Sequence, residues 1–229
     1  MKQKGKAKGF LTGLEEGCDL AKERILLHCC CAPCSTAILE WMVGQGLRPG
    51  IFFSNSNIVP ADEYELRREE LKRYAASCGL ETFDDEYDHK AWLEAVRGLE
   101  REPERGARCT ECFRFRLKRA AEFASQHGYS LLTTTLASSR WKDLEQVDAA
   151  GRWAVGQVNY AAGAYSVCAG VGETPVRTEV AWWGQNWRKG GLQERRNSLI
   201  RELGMYNQNW CGCEFSRRTE TETETNTTN

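Results

Sequence analysis

The stretch RILLHCCCAPCST, residues 24–36, decides how the rest of the chain is read. Ile25, Leu26 and Leu27 form the short apolar run of a strand buried on both faces. Four cysteines follow within six residues: Cys29, Cys30, Cys31 and Cys34. Pro33 marks a turn, and Ser35 and Thr36 suit the start of a helix expected over residues 37–44. Strand, tight loop and helix together open a parallel α/β unit.

The alternation continues down the chain. Residues 50–54 and 81–86 read as strands, and residues 62–77 as a helix spaced by Tyr64, Leu71, Tyr74 and Ala75. Another helix is expected over 89–99. Cys109 and Cys112 sit at the start of a further one that stops near Gly128. SLLTTTLASS, from residue 130, is a β-branched strand ending in hydroxyls. A helix over 143–155, a strand over 180–183 and a helix over 193–203 complete the pattern.

The expected fold is α/β: a mostly parallel sheet with helices on both faces, in a single domain over residues 21–216. In such sheets ligands bind outside the carboxyl ends of the strands, where the thiols and hydroxyls fall. Residues 1–20 are lysine-rich and expected to be a flexible basic N-terminus. Residues 159–178 are rich in Gly and Ala without a period and read as an inserted loop. The last stretch, 217–229, repeats Thr-Glu and reads as a disordered tail.

The chain has eleven cysteines, and its opening MKQKGKAKGF lacks a secretory pattern. A reducing, cytoplasmic setting is therefore expected, where clustered thiols hold metal or do redox chemistry. No apolar run approaches the ~20 residues of a membrane span. A net charge of −1 gives no global argument for nucleic acid, so any such argument is local. Residues 97–119 carry eight basic side chains against four acidic ones, which is also what a solvated helix face looks like.

Thiolate is a soft donor that suits iron–sulfur clusters and zinc, and four thiolates complete either site. Cys109 and Cys112 form a C-x-x-C at a helix start, where free amides and the dipole favour thiolate. Cys29, Cys30, Cys31 and Cys34 offer the other two ligands, and spacing alone leaves zinc and iron–sulfur equally open. Cys211 and Cys213 in NQNWCGCEFS can close a small strained disulfide of the labile, redox-active kind, or ligate metal. Cys18, Cys78 and Cys168 are isolated and read as inert buried cysteines.

Five motifs, LLHCCCAPCST, FFSNSNIVPADEYELR, RCTECFRFRL, LLTTTLASSRWKD and WRKGGLQERRNSLIRELGMYNQNWCGCEFS, resemble in this order the QueH-type epoxyqueuosine reductases of tRNA queuosine synthesis. The resemblance spans roughly residues 25–216. It implies a Rossmann-like fold of the adenine-nucleotide α-hydrolase (HUP-like) type, with the phosphate loop replaced by the cysteine loop. It also implies a [4Fe-4S] cluster on Cys30, Cys31, Cys109 and Cys112, and a redox-active disulfide pair at Cys211 and Cys213.

Some members carry an additional mononuclear iron with an Asp where this chain has Cys34, so Cys34 becomes a candidate second-iron ligand. The segment 159–178 is longer than the family pattern implies. The implied reaction removes the epoxide oxygen of epoxyqueuosine in tRNA with two electrons and two protons, drawn from an external donor.

His28, Tyr64, Asp62 and Glu63 are the candidate proton donors to the leaving oxygen. Asn55, Asn57, Thr133, Thr134, Thr135, Ser138 and Ser139 lie where a nucleoside can be hydrogen-bonded or a helix capped. For an anticodon loop, Arg101, Arg105, Arg114, Lys118, Lys142, Arg188 and Lys189 are candidate phosphate contacts, and Trp141, Trp187 or Trp210 stacking partners.

Three rivals stay in view: a zinc-bound RNA-binding protein without catalysis, a tRNA sulfurtransferase of related fold, and a thiol–disulfide oxidoreductase using only Cys211 and Cys213. The second needs a Gly-rich phosphate loop after the first strand, where this chain has CCCAPCS.

Overall fold

Every residue of β1 (Ile25–Cys29) is buried, as a strand covered on both faces must be. The structure, a computed structural model, describes residues 10–14, 18–168 and 179–216. β1, β2 (Gly50–Phe53), β3 (Thr82–Asp84), β4 (Leu131–Thr134) and β5 (Ala181–Trp182) form one sheet. Its order is β3-β2-β1-β4-β5 and every pairing is parallel.

The helices are α1 (Ala32–Gly44), α2 (Ala61–Ser77), α3 (His89–Ala95), α4 (Ala107–Gln126), α5 (Leu144–Cys168) and α6 (Leu192–Leu203). Adjacent β2 residues show how both faces are covered. Phe52 stacks on Phe123 of α4 at 4.5 Å, while Phe53 meets Tyr64 of α2 at 5.2 Å. Successive side chains of a strand point to opposite faces, so α4 and α2 lie on opposite sides. α1 packs with α2 and α6, and α4 with α5.

The chain moves from β1 outward through β2 to β3, then returns to place β4 on the other side of β1. That reversal makes the β1/β4 boundary a topological switch point, with an opening beyond the strands' carboxyl ends. His28 sits opposite Phe52 on one side and Thr134 on the other, so the three central strands end together there.

Three local expectations need correction. α1 starts at Ala32, not at residue 37. Pro33 fits the first turn because its missing N–H has no intrahelical partner in any case. Ser35 lies inside the helix and donates back to the Cys31 carbonyl at 2.7 Å. Cys34 therefore belongs to the first turn of α1.

α5 runs to Cys168, so residues 159–168 are helical rather than loop. Gly151 of α5 has a packing reason: a Cβ there would meet the Trp182 indole at 2.1 Å. Residues 169–178 and the Cys168 side chain lie outside the described residues, as does the expected tail at 217–229.

Part of the stretch expected to be loosely ordered, residues 10–14, packs against the domain. Phe10 meets Trp41 at 5.4 Å and Trp187 at 6.3 Å. Buried Gln185 accepts from Thr12 N at 2.8 Å and donates to Phe10 O at 3.0 Å. The lysines before it obscured Phe10 and Leu11 as an apolar anchor; residues 1–9 lie outside the described residues.

Candidate metal centre

The connection from β1 to α1 is only Cys30 and Cys31, and the first turn of α1 brings Cys34 back beside them. The sulfurs of Cys30, Cys31 and Cys34 lie within 4.8 Å of one another, a group able to hold a metal ion. Cys30 and Cys31 are buried with sulfurs 3.7 Å apart, and Cys34 is half-buried. Hydrogen bonds from Cys31 and Cys34 to its sulfur hold Cys30 well below the usual thiol range. Burial pushes Cys31 well up, and the bond to Cys30 pushes Cys34 up to about 11. Cys29 lies in the core, where burial pushes its thiol up, and it stands outside the group of three sulfurs.

The end of β4 fixes this loop from one side. Cys30 N donates to Thr135 Oγ1 at 3.2 Å, and the same hydroxyl lies 3.5 Å from Cys30 Sγ. Asn55 supports it from the other. Its amide donates to Cys29 O at 2.9 Å while its oxygen accepts from Arg116. Arg116 is buried and also donates to Ser54 O at 3.1 Å, so Asn55 is occupied as scaffold.

His28 lies beneath. Its Nε2 donates to Ser54 O at 3.0 Å, since a carbonyl only accepts, leaving Nδ1 to accept from Thr134 Oγ1 at 2.7 Å. Burial, reinforced by the Arg116 charge, lowers its pKa to about 3. It is a neutral strut with both nitrogens engaged. Tyr64 packs between Phe53 and Tyr87, and burial pushes it up to about 12. Glu63 accepts from Arg67 at 2.6 Å and from Tyr206 at 3.0 Å, while Asp62 is exposed in the first turn of α2.

Cys109 is the third residue of α4 and accepts from Arg105 N at 3.3 Å. The dipole argument for a thiolate fails here, because burial outweighs that N–H and raises the Cys109 pKa. Cys112 shares a helix face with Arg116 one turn later. Since Arg116 reaches Ser54 O, that face looks onto the carboxyl ends of β1 and β2. Cys109 and Cys112 stand outside the compact Cys30–Cys31–Cys34 triple. Cys109 feels the charges of Cys112 and Cys211, and Cys213 feels Cys211 and Cys112.

Lys142 links these groups. Burial works against its ammonium, but Cys30, Cys34 and Cys211 outweigh burial and raise its pKa. One cation thus faces thiols from the first cysteine loop and the carboxyl-terminal loop.

The carboxyl-terminal loop is fastened over the site at many points. Gln208 Nε2 lies 2.6 Å from Cys31 Sγ, Asn57 donates to Cys211 O at 3.4 Å, and Val59 N donates to Gly212 O at 3.0 Å. Tyr206 N donates to Glu70 at 2.9 Å, His89 pairs with Glu214 at 2.9 Å, and Arg108 donates to Ser216 Oγ at 3.2 Å. A hydrogen bond from Cys213 lowers Cys211 well below the usual range and raises Cys213.

The other candidates sort by environment. Arg114 pairs with Glu111 at 2.9 Å and Lys118 with Glu122 at 3.7 Å. Arg105 donates to Trp141 O and Arg140 O, and Arg188 to Ser139 O and Lys142 O. Arg101 and Lys189 are exposed. Ser138 donates to Thr135 O at 2.8 Å and Ser139 accepts from Trp141 N at 3.3 Å, so both hold the turn. Thr133 is buried in β4. Trp187 is fully buried and Trp210 lies half-buried under Arg67, whereas Trp141 is 62% exposed. Cys18 and Cys78 are half-buried, away from this edge of the sheet.

Sequence reasoning missed the parts played by Gln208 and Arg116. Gln208 stands three residues before Cys211, and that adjacency was the available signal. Arg116 read only as part of a basic helix.

The family model described as Epoxyqueuosine reductase QueH matches residues 25–219. A protein of Haemophilus influenzae named epoxyqueuosine reductase QueH is 37% identical over 195 residues, covering 85% of this chain and 72% of that protein. One of Acinetobacter baylyi with the same name is 37% identical over 196 residues, covering 86% and 81%. A third, of Thermotoga maritima, is 32% identical over 196 residues, covering 84% and 89%. With a cysteine loop at the switch point and a second thiol loop fastened across it, the chain belongs to the QueH family of epoxyqueuosine reductases.

Proposed function

We propose that this chain reduces epoxyqueuosine to queuosine in the anticodon loop of tRNA, in the cytoplasm. Supporting it most is the gathering of thiols from separate segments at one edge: Gln208, three residues before Cys211, reaches Cys31 Sγ, and Cys112 packs with Cys211 and Cys213. No helix among the described residues is long and apolar enough to cross a membrane.

The donors fit a soft metal centre. Cys30, Cys31, Cys109 and Cys112 would hold a [4Fe-4S] cluster, and Cys34 an additional mononuclear iron. When bound, such a centre supplies single-electron transfer and a Lewis-acidic iron. The chain's own residues do the rest. Gln208 and Thr135 hydrogen-bond cysteine sulfurs and so fix their positions.

Cys211 and Cys213 close to a disulfide, breaking two S–H bonds and releasing two electrons and two protons. Removal of the epoxide oxygen takes up two electrons and two protons and leaves as water, so the exchange balances. An external reductant then reopens the disulfide.

The deciding experiment is anaerobic incubation of iron-replete protein with epoxyqueuosine-containing tRNA and reductant, followed by nucleoside analysis. Queuosine is the expected product. Its absence, or zinc without iron and sulfide in anaerobically purified protein, defeats the reading in favour of a zinc-bound RNA-binding protein.

A further inference from the structure

Of the three tryptophans named as stacking partners, two are taken by the fold. Trp187 is packed among Phe10, Trp41 and Trp183, and Trp210 lies under the Arg67 guanidinium. Trp141 is different: 62% of it is exposed, with the Arg140 guanidinium 5.0 Å from its ring centre. A large exposed aromatic on a surface loop is ordinarily free to move, whereas the backbone that carries this one is tied down by four hydrogen bonds.

Arg105 donates to Trp141 O at 3.0 Å and Arg140 O at 3.1 Å, and Arg188 donates to Ser139 O and Lys142 O at 2.6 Å each. Four carbonyls in a row are thus held by two guanidinium groups. Arg105 does so from φ 69°, a left-handed conformation uncommon outside glycine. A strained residue that persists is over-determined by its surroundings, and such residues cluster at functional sites.

The tethers also place the ring. Arg105 contacts Cys109 Sγ through its own N–H at 3.3 Å, so one residue joins the Trp141 loop to the thiols. Thr135, which contacts Cys30 Sγ, lies six residues before Trp141 in the connection between β4 and α5. Arg140 lies on the ring itself, and Arg105 and Arg188 reach the carbonyls of the loop that carries it, so cations adjoin the ring. A rigid aromatic with adjoining cations is how proteins seat an unpaired base and its phosphate.

Resting on the reductase reading above, we infer that Trp141 and Arg140 form a stacking platform for a base next to the modified nucleotide of the anticodon loop. This is a positioning role: the platform holds the RNA so that the modified base enters at the thiol edge. It adds affinity without contacting the reacting atoms.

The test compares binding of a synthetic anticodon stem-loop to the full chain and to Trp141→Ala and Trp141→Phe. Trp141→Ala is expected to weaken binding about tenfold or more, the range for losing one stacked base, and Trp141→Phe to recover most of it. A stem-loop with an abasic residue at one flanking position should bind the two forms equally. In turnover the Trp141→Ala effect should fall on KM with kcat retained.

Equal binding of the intact stem-loop by protein and variant overturns the platform, as does an undiminished difference with abasic residues on both sides. Failure of the unaltered protein to bind the stem-loop overturns it too. Absence of queuosine with the binding difference intact defeats only the reductase reading.

Discussion

Gln208 Nε2 lies 2.6 Å from Cys31 Sγ, a contact across 177 residues of chain. It joins the loop that carries Cys211 and Cys213 to the loop that carries Cys30 and Cys31. A carboxamide donating to sulfur fixes the position of that sulfur.

Removing that donor should therefore loosen the centre without unfolding the chain. Gln208→Leu is expected to lower iron retention or turnover by about 10–100-fold, the range for outer-shell partners of a metal site. The denaturation midpoint should stay near that of the unaltered protein. Unchanged iron content and unchanged turnover would contradict this role.

The Cys211 and Cys213 thiols are predicted to close on mild oxidation. Mass spectrometry after alkylation should then find both blocked in the oxidised protein and both labelled after reduction. Cys211→Ser and Cys213→Ser should each abolish the change and sustained turnover, with little effect on unfolding. Labelling that does not depend on oxidation would rule out the disulfide.

Gly212 is set by both backbone and space. Its φ is +98°, and a Cβ there would meet Ile58 Cγ1 at 2.7 Å. Gly212→Ala should destabilise the loop by about 1–3 kcal/mol and raise the alkylation rate of Cys211. A variant whose Cys211 labels as slowly as before would show that the loop absorbs the methyl group.

His28 gives a pH signature. Its pKa falls from 6.5 to about 3 on burial, so below pH 6.5 the unfolded chain binds a proton that the folded chain refuses. Stability is thus complete above pH 6.5. It falls on acidification towards pH 3 by about 1.4 kcal/mol per pH unit from this group. In His28→Gln, urea unfolding across pH 4 to 6.5 should lose that part of the slope. An unaltered slope would mean that His28 titrates equally in both states.

Much of the architecture was legible because it follows from period and punctuation. An apolar run before a turn, repeated with helical spacing between, dictates a parallel sheet and puts Cys30, Cys31 and Thr135 at its carboxyl edge. The start of α1 was misread because Ser35 and Thr36 are good caps in isolation. Pro33 fits the first turn just as well, and Ser35 bonds backward to Cys31. The run at 159–168 was misread because glycine and alanine carry no apolar period.

The sequence alone determined the fold class, the set of thiols and the family, since these depend on residue type and order. Only the tertiary structure decided which side chains are spent. Asn55 and Arg116 hold the scaffold, His28 is neutral, Trp187 is core, and Trp141 stands in solvent. Burial and hydrogen-bond partners come from segments far apart in the chain, and local sequence does not record them.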